Sequence, residues 1–251
     1  MQFYGMKAGN GRIRLATYNI HKCRGLDCRV RPDRIVEVLR EIDADIIALQ
    51  EVVSIEGGGP EQDQAGYIAR ALGLEWCLGK TRRYNGGAYG NLVLSRYPLG
   101  AARNYNISAR GRERRGCLRV DLEVAGATLL HVFNVHLGTA YLERRKQARI
   151  LMTSDVLNNR GLRGARIVLG DFNEWTRGLA TRLLRARFES VDLREWPRRA
   201  RSYPGILPLL HLDRIYFDPG LTMESFSLHR SRTALIASDH LPLVADFRML
   251  P

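Results

Sequence analysis

Carboxylates, amides and imidazoles recur in this sequence at one kind of place, the ends of short apolar runs. Asn19 and His21 follow the run 15–18, Glu51 follows 46–50, and Asn134 and His136 follow 129–133. Asp171 and Asn173 follow 167–169, Asp213 stands near the head of 212–217, and Asp239-His240 precede 241–244. Taken alone, each has an ordinary explanation. A strand-end aspartate commonly serves a turn or cap, and Ser238-Asp239-His240 could be an Asx turn. A lone histidine is more often structural than catalytic. Six runs ending this way carry more weight, because ligand sites gather where strand ends converge. Delivered to one edge, these groups would bind a hard cation and surround it with contacts for a phosphate.

The segments around these residues have the periodicities of strands and helices. Residues 12–19 alternate, and 45–50 form a continuous apolar run suited to a buried strand. The segments 91–95, 119–124, 128–135, 166–169, 212–217 and 243–247 have the same character, and Ala125-Gly126 predicts a hairpin between two of them. Pro32 and Asp33 open a helix with Ile35, Val38, Leu39 and Ile42 on one face. Helices are also predicted over 62–72, 141–158 and 179–186, the second directing Leu151, Val156 and Leu157 to a core. Interleaved strands and helices with hairpins predict an α/β fold of mixed sheets covered by helices. A single domain is expected across 1–251, with 1–10 a flexible lead.

Composition narrows the class of partner. The 251 residues carry 39 Lys+Arg against 26 Asp+Glu, a net charge of +13, and only four of the basic residues are lysines. Arginine suits bidentate contacts to phosphate, so the balance points to nucleic acid, anionic lipid or a phosphorylated metabolite, although a solvated arginine-rich surface would look the same. No apolar run approaches the ~18–20 residues that span a bilayer. Residues 1–10 lack the apolar stretch of a secretory signal. Cys23, Cys28, Cys77 and Cys117 show no zinc-ligand spacing. Reduced thiols in the cytoplasm are therefore expected.

Seven blocks carry a family resemblance. They are Thr17-Tyr18-Asn19-Ile20-His21, Leu49-Gln50-Glu51-Val52, Gly90-Asn91-Leu92-Val93-Leu94-Ser95-Arg96-Tyr97-Pro98, Asn134-Val135-His136-Leu137, Gly170-Asp171-Phe172-Asn173, Leu212-Asp213-Arg214-Ile215-Tyr216 and Ser238-Asp239-His240-Leu241-Pro242. In this order they resemble the endonuclease/exonuclease/phosphatase superfamily, the relatives of pancreatic-type deoxyribonuclease, abasic-site endonuclease, inositol-polyphosphate 5-phosphatase and neutral sphingomyelinase. The resemblance implies a four-layer α/β/β/α sandwich with two central mixed sheets and a site at one end.

It also implies roles. Glu51 would be the principal metal ligand, with Asn19 and Asp239 beside it, for Mg2+ or Mn2+ rather than zinc. Asp171 would orient or deprotonate the attacking water, and Asn173 would hold a non-bridging phosphate oxygen. His240 would contact the scissile phosphate, its tautomer fixed and its protonated form favoured by Asp213. His136 matches a second phosphate-contacting position, and Arg115 is a candidate phosphate clamp. Whether Asp171 or His240 is the working base is open at this stage.

The substrate is less defined. Between Gln50-Glu51 and Asn91 the chain carries a short loop, Gly57-Gly58-Gly59-Pro60, and the helix 62–72, without the long insertions that abasic-site enzymes use on duplex DNA, and no aromatic-and-basic run suggests base stacking. The Pro-spaced segment 202–213 resembles lipid-remodelling members. It either packs Ile206, Leu209 and Leu210 into the core or forms a wall of the substrate pocket or a membrane-surface contact. A Mg2+-dependent phosphodiesterase of nucleic acid is the leading expectation. The alternatives are an enzyme acting on phospholipid headgroups or another small ester, with possible docking to an anionic membrane surface, and a catalytically silent binding module. No protein partner can be inferred.

Overall fold

The computed structural model describes residues 11–124, 128–176, 178–190, 201–205 and 209–249. All eight strands read from the sequence form, mostly extended beyond their apolar runs. They are β1 (Arg12–Asn19), β2 (Ile46–Ser54), β4 (Gly87–Ser95), β6 (Gly116–Val124), β7 (Thr128–His136), β8 (Ala165–Asp171), β10 (Asp213–Phe217) and β12 (Leu243–Met249). Four more were not foreseen: β3 (Glu75–Tyr84), β5 (Leu99–Asn106), β9 (Glu189–Ser190) and β11 (Leu221–Leu228). One six-stranded sheet has the order β11-β12-β1-β2-β4-β3, the other β5-β6-β7-β8-β10-β9. The four unforeseen strands are therefore the four sheet edges. An edge strand buries less of itself, so it has no need of the apolar pattern that betrays an internal one. The β1–β2 and β7–β8 pairs are parallel and the others antiparallel, which makes both sheets mixed. The expected turn at Ala125-Gly126 and the lead 1–10 lie outside the described residues.

Helices α1 (Pro32–Ile42), α2 (Gln64–Leu72) and α5 (Arg232–Ala237) cover the first sheet, and α3 (Tyr141–Leu151) and α4 (Leu179–Arg185) cover the second. Helix α2 starts two residues later than expected because Asp63 caps it, accepting from the Gly66 amide. Helix α3 stops at Leu151 rather than running to 158. There the Thr153 hydroxyl bonds the Ile150 carbonyl at 2.8 Å and Asn158 Nδ2 bonds the Met152 carbonyl at 2.5 Å, polar side chains competing for the helix's own backbone. Val156 and Leu157 still reach the core, from the turn that follows. Six-residue α5, capped by Ser231, is too short to show a period.

Strand alternation sorts the apolar side chains into three bodies, one beneath each helical layer and one between the sheets. The space between the sheets is graded along the strands. Ile13, Leu15, Ile46, Ala48, Val93, Leu130, Val132, Ile167, Leu169, Ile215 and Phe217 make its apolar part. Two residues further on comes a layer of buried amides, Gln50, Asn91 and Asn134, with Thr17. Asn134 Nδ2 donates across the sheets to the carbonyls of Leu49 at 2.8 Å and Leu92 at 2.9 Å, and its Oδ1 accepts from Gln50 Nε2 at 2.8 Å. Asn91 Nδ2 returns the connection, donating to the carbonyls of Gly116 at 3.0 Å and Asn134 at 3.1 Å. From its strand-end position Asn134 is expected in the cluster of site residues. The structure makes it the tie between the sheets instead.

Replacing Asn134 with leucine would take a donor from the Leu49 and Leu92 carbonyls, while Gln50 Nε2 would keep Thr17 Oγ1 and the Ala48 carbonyl. At about 1–3 kcal/mol for each carbonyl, Asn134→Leu should lower unfolding stability by at least about 2 kcal/mol in urea titrations. A loss below about 1 kcal/mol would show that the layer is not a fastening.

Candidate active site

Beyond the amide layer the inter-sheet space ends in ionisable groups. In the first sheet this depends on an irregularity. Strand β2 pairs with β4 in register to Leu49–Leu92 and resumes at Val52–Gly90, so Gln50 and Glu51 together oppose Asn91. Glu51 takes a left-handed φ of 61°. Simple alternation would put Glu51 under the helices. The bulge absorbs one residue, returns Val52 to the helix-side core, and turns Glu51 toward the strand end. There its Oε1 lies 3.4 Å from Asn19 Nδ2 and its Oε2 2.7 Å from Lys22 Nζ.

In the second sheet register alone does the work. His136 pairs with Asp171, and Asp171 pairs with Asp213, so three strands present their site residues side by side on one face. Gly170 precedes Asp171 at φ 141°, and a Cβ there would meet the Val135 carbonyl oxygen at 1.9 Å, so only glycine admits this approach. Asp171 Oδ1 accepts the Asn173 amide at 2.8 Å. Asp171 Oδ2 accepts Asn19 Nδ2 at 3.0 Å, a bond from one sheet to the other, and has His136 Nε2 at 3.6 Å and His240 Nε2 at 3.8 Å. Asn173, at a left-handed φ of 48°, donates Nδ2 to the Leu137 carbonyl at 3.0 Å and more distantly to Asp171 Oδ2 at 3.4 Å.

Asp213 is fully buried. Its Oδ2 accepts His240 Nδ1–H at 2.8 Å and the Ser202 hydroxyl at 2.5 Å. Burial alone would discharge His240, but Asp213, then Asp171 and Asp239, outweigh it and raise its pKa to about 10. His136 goes the other way: burial first and then Arg115 lower it to about 4, against the opposing pull of Asp171 and Glu51. Burial pushes Asp171 upward despite the histidines. Burial also works against an ionised Glu51, yet positive charge at His136 and Lys22 brings it down to about 2. At neutral pH His136 is uncharged, so Lys22 is the nearer source of that charge.

Asn19, Glu51, His136, Asp171, Asn173, Asp213 and His240 are thus linked through one chain of contacts. Asp239, more exposed, joins through His21, whose Nδ1 lies 3.6 Å from its Oδ1. Arg115 reaches the cluster from beside: its Nε donates to the Leu137 carbonyl at 3.3 Å and its Nη1 pairs with Glu113 at 2.8 Å. Sequence reasoning missed Lys22, Ser202 and Tyr203, whose ring lies 4.9 Å from that of His240. Within 202–213, Leu209 is 55% exposed rather than packed in the core. Ile206 lies outside the described residues. The apolar residues drew attention there, while the useful ones were the small polar Ser202 and the aromatic Tyr203 before them.

For a divalent ion the donor set is lean. No group of three or more His, Cys, Asp or Glu suited to a metal occurs among the described residues. Asn19 turns its Nδ2 toward Glu51 and its Oδ1 to the His21 amide, so what the site offers an ion is chiefly the single ionised carboxylate of Glu51. That fits Mg2+, which keeps several waters and takes one or two carboxylates together with substrate phosphate.

A model of the endonuclease/exonuclease/phosphatase family matches residues 16–240. The chain belongs to this family. Enzymes of the family are hydrolases of phosphate esters and generally use divalent metal ions. The protein is 31% identical to the uncharacterized protein YbhP of Escherichia coli K12 over 248 residues, covering 94% of this chain and 96% of that one. Among solved structures it is similar to an endonuclease/exonuclease/phosphatase from Beutenbergia cavernae, at TM-score 0.76 and 23% identity, with 95% of this chain and 72% of that chain covered. It is similar also to truncated TDP2 of Caenorhabditis elegans, at TM-score 0.71 and 16% identity, with 94% and 97% covered. These two likenesses show the fold.

Because His136 binds its proton more weakly in the folded chain than in the unfolded one, the folded state carries fewer protons between about pH 4 and 6.5. Its contribution to stability is therefore present above about pH 6.5 and lost as pH falls toward 4. In metal-free protein this should amount to at most about 3 kcal/mol across the window. Urea titrations at both pH values should show His136→Asn losing less stability on acidification than the wild type. Equal losses would contradict the assignment.

Proposed function

We propose that the protein is a Mg2+-dependent phosphodiesterase that hydrolyses nucleic acid. The observation that carries the chemistry is the linked set Asp213–His240–Asp171–Asn19–Glu51, in which a protonated imidazole and a buried carboxylate face the same space. The structural relation of each group to its neighbours supports a division of labour. His240 is held charged by Asp213, so at neutral pH Nε2 carries a proton and has no lone pair to accept another. This favours His240 as a donor to a non-bridging phosphate oxygen and leaves Asp171 as the base. Burial makes Asp171 more basic than an ordinary aspartate, and Asn19 and the Asn173 amide fix its orientation. A water oxygen bonds to phosphorus, its proton passes to Asp171, and the ester oxygen leaves with the electrons of the broken P–O bond. Asn173 and His136 would contact the phosphate, Asn173 by giving up its long bond to Asp171. A divalent ion held by Glu51 and Asn19, with Asp239 nearby, would supply Lewis-acid relief of charge on the phosphoryl and leaving oxygens.

Nucleic acid is favoured by what lies beside the site. The loop from Ile107 to Arg115 closes on itself through the Ile107 amide and the Arg115 carbonyl, and carries exposed Arg110, Arg112 and Arg114. Across from it, Arg82 pairs with Glu113 at 3.2 Å and its guanidinium sits 4.3 Å from the Tyr89 ring centre and 5.2 Å from that of Tyr84. Basic and aromatic groups therefore do meet, though from separate strands, which is why no run of them stands out in the sequence. Several arginines beside a phosphate-cleaving site suit a polyanion longer than one phosphodiester. A second reading, phospholipid, draws support from exposed Tyr141, Leu142, Trp175 and Leu209, which flank site residues in the chain.

Asp171→Asn and His240→Ala should each lower metal-dependent hydrolysis of bis-(p-nitrophenyl) phosphate by at least ~100-fold with the fold retained. Activity surviving Asp171→Asn would refute the assignment. With an oligonucleotide substrate, kcat/KM should fall steeply with salt, and Arg112→Ser/Arg114→Ser should flatten the slope. A flat salt response in the wild type, with turnover of anionic phospholipid vesicles, would move the reading to lipid.

A further inference from the structure

The turn that follows β1 is built in an unusual way. His21, Lys22 and Cys23 have φ values of 45°, 57° and 56°, three successive residues with side chains in the left-handed region. Such positions are strained for any residue but glycine, and they persist only when the surroundings fix them. Here they are fixed closely. The His21 amide donates to Asn19 Oδ1 at 3.1 Å, the Cys23 amide to the Ile20 carbonyl at 2.7 Å, and the Arg31 amide to the Cys23 carbonyl at 2.8 Å. Gln64 Nε2, itself buried, donates to the Lys22 carbonyl at 2.7 Å, and the Cys23 side chain is wholly buried.

The result is that two adjacent side chains are aimed at the two acidic groups proposed to hold the metal. Lys22 Nζ sits 2.7 Å from Glu51 Oε2, and His21 Nδ1 sits 3.6 Å from Asp239 Oδ1. A lysine meant for solvent needs no left-handed backbone. An ammonium at 2.7 Å from Glu51 Oε2 occupies the space that an ion bound to that oxygen would need, and two cations in that space repel each other.

We propose that Lys22 is a built-in counter-cation for Glu51, holding the carboxylate in place without metal, and that a divalent ion binds by displacing it. Lys22 is then a positioning residue that sets metal affinity. It trades tight binding for a site that stays formed when the ion leaves. This rests on Glu51 being the cation-binding carboxylate, as proposed above.

The test is calorimetric titration of the full chain with Mn2+ alone, without substrate, for the wild type, Lys22→Met, Lys22→Arg and Glu51→Gln. Lys22→Met should bind Mn2+ at least tenfold more tightly, Lys22→Arg should stay near the wild type, and Glu51→Gln should lose the site. Unchanged or weaker binding by Lys22→Met, with Glu51→Gln still losing the site, overturns the counter-cation alone. Wild-type binding by Glu51→Gln overturns the metal assignment beneath it. The shift in melting temperature on adding Mn2+ gives a second reading: it should be larger in Lys22→Met than in the wild type, and an equal or smaller shift contradicts the proposal. Should Lys22→Met fail to fold, Lys22→Gln takes its place in both measurements, with the same outcomes expected.

Discussion

Everything at the site depends on how two separate sheets are held in register, and the buried amides of Asn134, Gln50 and Asn91 do that. Apolar side chains alone would let the sheets slide, because hydrophobic contact has no preferred direction. The hydrogen bonds from Asn134 to the carbonyls of Leu49 and Leu92 have one. A buried amide must find its partners or cost the full desolvation of each group, so the layer tolerates one alignment. Two residues further along the strands that alignment becomes chemistry. Asn19 from the first sheet bonds Asp171 from the second, and Glu51 stands beside them.

The next constraint is charge. A chain with an excess of basic residues places Glu51, Asp171 and Asp213 together with little solvent around them. Such a group is costly unless each member has a partner, and the partners differ in kind. Asp213 has His240, which it keeps protonated, and Ser202. Asp171 has amides and the edges of two imidazoles, and burial raises its affinity for a proton in spite of them. Glu51 has Lys22. Three carboxylates close in sequence character are made chemically distinct by what each one touches. In the proposed chemistry one orients the imidazole, one acts as the base and one holds the cation.

Much of this was legible in the sequence, for reasons that also explain the gaps. Internal strands must be apolar on both faces or alternate, so all eight could be read. The edge strands, Glu75–Tyr84 among them, carry no such obligation and were missed. Asp171, Asp213 and His136 were legible because each interrupts the apolar character of its own strand at its end. Lys22 and Ser202 were not, since a lysine or serine in a turn looks like any solvated residue until its partner across the fold is known. Asn134 misled for the opposite reason. It is polar at a strand end, as a site residue would be, but sits one layer too deep and spends its bonds on the opposing sheet. The bulge at Glu51 is a further case. Alternation from Ile46 would bury that carboxylate under the helices, and no residue type in β2 announces the extra residue. Only the glutamate itself, out of place in an apolar run, hinted that the strand must break its pattern there.

The proposed chemistry needs Glu51 as the anchor of the cation on which phosphodiester cleavage depends. The direct measurement is bis-(p-nitrophenyl) phosphate hydrolysis by chelator-stripped protein as Mg2+ is restored, for wild type and Glu51→Gln in parallel. Activity should be absent in the stripped wild type and return saturably with Mg2+, while Glu51→Gln stays inactive across the same range. Turnover by the stripped wild type, or a Glu51→Gln titration that follows the wild-type curve, would contradict it.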